Sequence, residues 1–233
     1  MRTDTRRSFM LWAMAAAGAG ALPACGHRGP PPPPKPALTR ILVLPATSPD
    51  RFYTYNNWVG GLLWSSIANR VKTNLFDEKM EAQRKTLGPK MTTALVEALR
   101  AAGYDADIIA VPARYKDADY VDVTQLPTRD PVFYLQFGET GMDSGRLSSY
   151  YLPRLNVGAT LTAPASGDTL FTTSLYYGAD AGSNKDWGIE AEPQFRFPDF
   201  DALMNRTPEV VESFEVGMQA MARRIVQQLK RDY

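Results

Sequence analysis

An α/β fold, with a mixed β-sheet packed against two main helices in the order β-α-β-β-β-β-α, is what this sequence predicts. Three observations carry that expectation. A short aliphatic run, Ile41-Leu42-Val43-Leu44, ends at Pro45 as a buried strand does. Residues 87–102 repeat apolar side chains at helical spacing. Residues 154–177 read as two alternating strands around a Gly-Asp turn.

The chain opens on a different kind of segment. Arg2, Arg6 and Arg7 form a basic front, and Phe9 to Leu22 follows without a charge. That is the layout of a secretory signal, whose apolar region runs about 7–15 residues. A permanent spanning helix needs roughly 20 apolar residues, and this stretch is shorter and rich in Ala and Gly. Thr5-Arg6-Arg7-Ser8-Phe9-Met10 resembles a twin-arginine export signal. Paired arginines also occur in ordinary signals, so both export routes fit.

Leu22-Pro23-Ala24-Cys25-Gly26 resembles the lipobox of bacterial lipoproteins. The resemblance implies cleavage before Cys25, a diacylglyceryl group on its thiol, and often a further chain such as palmitate on the new amino group. At about 0.8 kcal/mol per buried methylene, two or more chains make a stable anchor. An ordinary cleaved signal with an incidental cysteine is the other reading. Residues 1–24 are then a cleaved signal peptide and residues 25–37 a lipidated Cys and Pro-rich linker. The run GHRGPPPPPKP from Gly26 to Pro36 favours extended polyproline II at about 3.1 Å per residue. It serves as a spacer between bilayer and body, or as a ligand for a proline-reading domain. Gly26 stands where Asp would mark retention at the inner membrane. An outer-membrane lipoprotein facing the periplasm is the expectation, with the inner membrane as the alternative.

Composition excludes several functions. Removing residues 1–24 takes away Arg2, Arg6, Arg7 and Asp4, which turns 26 basic and 25 acidic residues into 23 and 24. A near-neutral body has no general electrostatic reason to bind nucleic acid. Cys25 is the only Cys and lipidation consumes it, so no disulfide or thiolate site remains. His27 is the only His, inside the linker. Imidazole-based catalysis and the usual zinc sites therefore have no ligands in the body. No cofactor and no metal are expected. Carboxylate chemistry stays open, since acid/base pairs need only Asp and Glu.

Residues 38–233 read as a single α/β domain. After the first strand, residues 50–80 read as a partly helical insertion. Its aromatics Phe52, Tyr53, Tyr55, Trp58 and Trp64 either form a contact surface or cover the core. Leu87, Met91, Ala94, Leu95, Ala98, Leu99 and Ala102 form one helical stripe, closed by Gly103 at the C-cap place. This stripe is expected to pack on strands at Ile41–Leu44 and Asp107–Val111. Residues 114–130 read as a loop or short helix. Asp117, Asp119 and Asp122 lack the Gly and distal Glu of a calcium loop. Val132 to Gly138 is a third strand, and Arg154–Ala163 with Thr169–Tyr177 form the hairpin. Residues 178–200 read as an irregular loop. Pro208 to Lys230 is an amphipathic helix with Val211, Phe214, Met218, Met221, Ile225 and Leu229 on one side, and Thr207 as its N-cap.

Four stretches carry a family resemblance: ILVLP at 41–45, ALVEALRAAGYDADII at 94–109, VFYLQFG at 132–138, and LNVGATLTAPASGDTLFTTSLYYG at 155–178. In these the chain resembles a group of envelope lipoproteins. The group includes the curli secretion-channel lipoprotein CsgG, the penicillin-binding-protein activator LpoB, lipoproteins related to GNA-type neisserial antigens, and the amino-terminal domain of TolB. The sequence departs from the group in residues 50–80 and after Gly178. The resemblance implies a non-catalytic protein that binds or assembles in an envelope machine of secretion, cell-wall synthesis or outer-membrane assembly. Its partners would be the membrane, through the lipid on Cys25, and an envelope protein or further copies of itself. A carboxylate-dependent envelope hydrolase or glycan-binding enzyme is the alternative.

Overall fold

The computed structural model describes residues 37–56, 62–110, 122–144, 150–182 and 184–233. The signal, Cys25 and the linker before residue 37 lie outside them. The residues from Pro36 to Tyr233 form one unit.

The aliphatic run forms β1 (Arg40–Val43), which pairs in parallel with β3 (Asp105–Ile108) and with the start of β4 (Val132–Ser144). A further strand, β2 (Tyr53–Asn56), pairs in parallel with the far end of β4. Thus β1 and β2 lie end to end along one edge of β4. Along its other edge β4 is antiparallel to β5 (Leu152–Ala163), which is antiparallel to β6 (Asp168–Gly178). The short β7 (Gly188–Ile189) closes the sheet in the order β3-β1-β4-β5-β6-β7.

Five helices accompany the sheet among the described residues: α1 (Leu62–Lys79), α2 (Glu81–Arg84), α3 (Leu87–Ala101), α4 (Phe200–Asn205) and α5 (Thr207–Asp232). In α3 the stripe Leu87, Met91, Leu95 and Leu99 is buried, as periodicity alone suggested. Gly103 follows with φ +95°, the left-handed turn that a C-cap glycine supplies. In α5, Val210, Phe214, Met218, Met221, Ile225 and Leu229 are buried against the same core. The strands contribute alternate residues to it, including Phe133, Leu135, Leu155, Val157, Leu161, Phe171 and Leu175. On the opposite face Leu42, Leu44, Ile109, Val123 and Val132 form a smaller core. Beyond it, Gln136, Thr172 and Ser174 leave the face of β4–β6 open to water, as antiparallel sheets allow.

Several elements differ from the sequence reading. Residues 50–80 hold a strand and a third substantial helix. The second expected strand starts and ends earlier, at Asp105–Ile108, because it is an edge strand with an exposed Ile108. The third strand continues to Ser144 across a bulge between Phe137 and Thr140. That bulge shifts the apolar alternation at Gly138-Glu139 and hides the continuation. The stretch 178–200 is tied down by β7, a 3₁₀ turn at Pro193–Phe195, and a bridge between Tyr151 and Phe197. The hydroxyl of Thr207 donates to Met204 O, and Arg206 takes the N-cap place expected for it.

Candidate functional site

The aromatic segment divides between two faces because β2 is a strand. Phe52 is fully buried, stacked on Phe214 with centroids 5.1 Å apart and tilted against Phe76 at 5.8 Å. It belongs to the core, which removes it from the expected contact set. Tyr53 and Tyr55 point the other way, half-buried, and stack with centroids 5.8 Å apart and planes 7° apart. Trp58 lies outside the described residues. Trp64 falls in the first turn of α1, where only the backbone is described.

The outer edge of β2 is covered by side chains of α1. Asp77 Oδ1 accepts from Phe52 N at 2.8 Å, Thr73 Oγ1 from Thr54 N at 3.1 Å, and Asn69 Oδ1 from Asn56 N at 3.2 Å. Four helical residues rise about 6 Å and two strand residues about 6.6 Å, so the two periods match. An edge that would otherwise template further strands is closed.

Beside the tyrosines sits an ionic hub that no sequence spacing announced. Arg154 binds Asp180 bidentately, Nε to Oδ2 and Nη2 to Oδ1, each at 2.7 Å. Its Nη1 meets Glu139 Oε2 at 2.8 Å and Asp143 Oδ2 at 3.0 Å. The guanidinium carbon lies 6.0 Å from the Tyr55 ring centroid. Asn156 Nδ2 donates to Asp180 Oδ2 at 2.7 Å. The bulge in β4 brings Glu139 and Asp143 within reach. Arg154 stands in register between Gly141 and Gly178, so no side chain crowds it on either flank. Both glycines have positive φ, and a Cβ on either would strike backbone oxygen, Tyr53 O at 1.9 Å or Pro153 O at 1.8 Å.

Three carboxylates around one guanidinium leave the hub net negative, while on the far side of the pair the Arg51 guanidinium lies 6.0 Å from the Tyr53 ring centroid. Burial alone would push the Asp180 carboxyl up, yet the bonds from Arg154 and Asn156 hold it below the usual carboxylate range. Burial likewise opposes the Arg154 charge, and the three acids outweigh it, so its pKa rises. Burial and then the Glu139 charge raise the Tyr55 phenol, which stays neutral. Next to the hub a groove of about 330 Å³ lies over Gly138 and Gly158, walled by Gln136, Glu139, Asn156, Ser174 and Tyr176. Among the described residues there is no cluster of His, Cys, Asp and Glu that would hold a metal ion. No helix among them is long and apolar enough to cross a membrane.

No protein-family model matches the chain, and no curated protein matches it. Among solved structures it is similar to lipoprotein GNA1162 from Neisseria meningitidis, at 18% identity and a TM-score of 0.36 over 63% of this chain and 88% of that one. A PelC dodecamer from Paraburkholderia phytofirmans overlays at 12% identity and 0.39, over 83% and 93%. A Xanthomonas campestris protein overlays at 12% identity and 0.37, over 83% and 86%. Likeness at this level assigns no role.

Proposed function

We propose that the protein is a lipid-anchored envelope lipoprotein, held at the outer membrane by Cys25 and facing the periplasm. Its body acts as a non-catalytic binding or assembly module of an envelope machine, in the manner of the CsgG, LpoB and TolB-domain group. The observation that carries this reading is the stacked Tyr53–Tyr55 pair, half-exposed beside the Arg154 hub. Rigid aromatic surface of this kind gives large contact area at small entropic cost. The surrounding carboxylates select a basic segment on the partner.

The same carboxylates are where a hydrolase reading would have to find its acid pair. A glycosidase pairs one acid kept protonated by a raised pKa with an ionised carboxylate, and Asp180, held below the usual carboxylate range, could serve only as the second. Glycan binding without hydrolysis keeps one specific support, the groove with Tyr176 as a wall and Gln136, Asn156 and Ser174 as hydrogen-bonding groups. In that case Tyr176→Ala lowers retention on a glycan column and leaves protein partners in place.

The test is affinity recovery from detergent-solubilised envelopes through a tag after Tyr233. A hot spot worth about 2 kcal/mol corresponds to roughly a 30-fold loss, so Tyr53→Ala with Tyr55→Ala should weaken partner recovery about that much. Unchanged recovery from a folded double variant removes the tyrosines from the interface. For the anchor, Cys25→Ala should release the protein from membranes or block its processing. A variant still cleaved and still bound after a carbonate wash ends the lipoprotein reading.

A further inference from the structure

Helix α1 turns a polar row toward the sheet and an apolar row toward water, the reverse of α3 and α5. Its polar row Asn69, Thr73 and Asp77 faces inward onto β2, and Phe76 near its end and Met80 just after it enter the core. Its apolar row faces water: Ile67 is 62% exposed, Val71 53% and Leu75 47%. These positions are four residues apart, so they form one continuous ridge along the helix. Large apolar side chains scattered singly on a surface need no explanation, but an aligned row does.

The surroundings of the ridge say what covers it. Arg70 and Lys79 are exposed beside the row, Lys72 is half-exposed with its ammonium 5.4 Å from the Phe200 ring centroid, and Glu78, three residues after Leu75, is the one exposed carboxylate of α1. Asp77 is turned inward, bonded to Phe52 N and 2.9 Å from Arg84. An apolar ridge with a net basic margin is the pattern of a helix that lies in a membrane interface, its cations among anionic headgroups. A second copy of the chain fits less well. Three side chains expose a few hundred square ångströms at most, short of the roughly 800 Å² per partner of a stable dimer.

We infer that α1 is a second membrane contact, which lays the folded body on an anionic lipid surface along Ile67, Val71 and Leu75. This rests on the lipoprotein reading above, because the anchor brings the body to the bilayer. From Cys25 to Ala37 an extended linker reaches about 37 Å at 3.1 Å per residue. Even fully extended, these residues span no more than about 43 Å at 3.6 Å per residue, so the body stays near enough to the bilayer for α1 to meet it.

The test uses the unlipidated chain from Gly26 onward, which contains every element from Arg40 to Asp232. It is floated with vesicles of equimolar phosphatidylethanolamine and phosphatidylglycerol. Binding is expected, weaker in high salt and on phosphatidylcholine alone. The triple variant Ile67→Ser, Val71→Ser, Leu75→Ser should lose at least tenfold in binding while keeping the wild-type thermal midpoint. Equal binding by both, or no binding by folded wild type, overturns the proposal. So does a wild-type dimer that the triple variant breaks into monomers. Whether Cys25 carries lipid in cells is read separately, from the mass of its peptide. An unmodified Cys25 defeats the lipoprotein reading and leaves the vesicle result to stand or fall by itself.

Discussion

Thr73 Oγ1 accepts a hydrogen bond from Thr54 N at 3.1 Å and donates one to Thr54 O at 3.0 Å. One helical hydroxyl thus satisfies both backbone groups of a residue in the edge strand β2. Thr54 and Thr73 are nearly inaccessible to water, so solvent cannot replace either bond. The contact orients α1, and that orientation turns the Ile67–Val71–Leu75 row outward.

Thr73→Val keeps the shape and removes both bonds, together with the contact between the two threonine hydroxyls at 3.2 Å. Leaving a buried donor and acceptor unmatched costs about 1–3 kcal/mol. Urea unfolding should show a lower midpoint for Thr73→Val by that amount, and Thr73→Ser should recover most of it. Equal stability of Val and Thr would mean that the bonds of Asn69 and Asp77 and the burial of Phe76 hold α1 without Thr73.

Leu95 sits at the centre of the α3 stripe with no exposure. Leu95→Ala should cost about 2–5 kcal/mol, the range for a buried large-to-small change. A thermal midpoint equal to wild type would show that α3 does not close the core.

Tyr177 lies under the middle of α5, where a Cβ on Gly217 would come within 2.7 Å of its ring. A glycine inside a helix costs about 1 kcal/mol in propensity, and close approach to the ring is what offsets that cost. Gly217→Ala should therefore destabilise, by about 1–3 kcal/mol for overpacking, despite its better helix propensity. The Tyr177 hydroxyl is buried without a hydrogen-bond partner among the described residues. Burial, with the Glu192 charge a smaller cause, raises its pKa. The folded protein then holds this proton more tightly than the unfolded chain does. Its contribution is complete below about pH 10, the ordinary Tyr pKa, and is lost as pH rises above that. Tyr177→Phe should match or exceed wild type at neutral pH and flatten the alkaline loss. A phenylalanine variant with the wild-type alkaline limb would assign that loss to other groups.

How far the sequence discloses this fold depends on which face an element buries. The α3 stripe and the hairpin bury apolar residues and expose polar ones, so their periods show both boundaries and orientation. Helix α1 reverses the rule: Asn69, Thr73 and Asp77 point inward, so its pattern looks loosely helical and its aromatic neighbours look uniformly exposed. The strand period did hold a clue, since Phe52 and Thr54 alternate with Tyr53 and Tyr55. The ionic hub was not legible at all. Arg154 and Asp180 are 26 residues apart, and Glu139 reaches Arg154 only because a bulge resets the register of β4. Long-range ion pairs leave no local periodicity to read.

Arg154 ties β2, β4, β5 and the turn after β6 together, and its removal is the sharpest test of that tie. Its side chain is 18% exposed and that of Asp143 only 7%. Breaking a fully buried pair costs about 3–5 kcal/mol, and residual exposure places Arg154→Met nearer 2–3 kcal/mol. Asp180→Asn should cost less, since an amide still accepts one bond from the guanidinium. Its effect is on pH dependence. Asp180 is held below its ordinary pKa, so its stabilisation is present above about pH 4 and lost as pH falls below that. Acid titration of the thermal midpoint should therefore be shallower for Asp180→Asn than for wild type. If the two acid limbs coincide, Asp180 gains nothing from Arg154, and the hub holds through Glu139 and Asp143 instead. Tyr55 offers an independent readout of the same geometry: with Arg154 gone, its cation–ring contact at 6.0 Å is lost, and tyrosine fluorescence near β2 should change in Arg154→Met and not in Asp180→Asn.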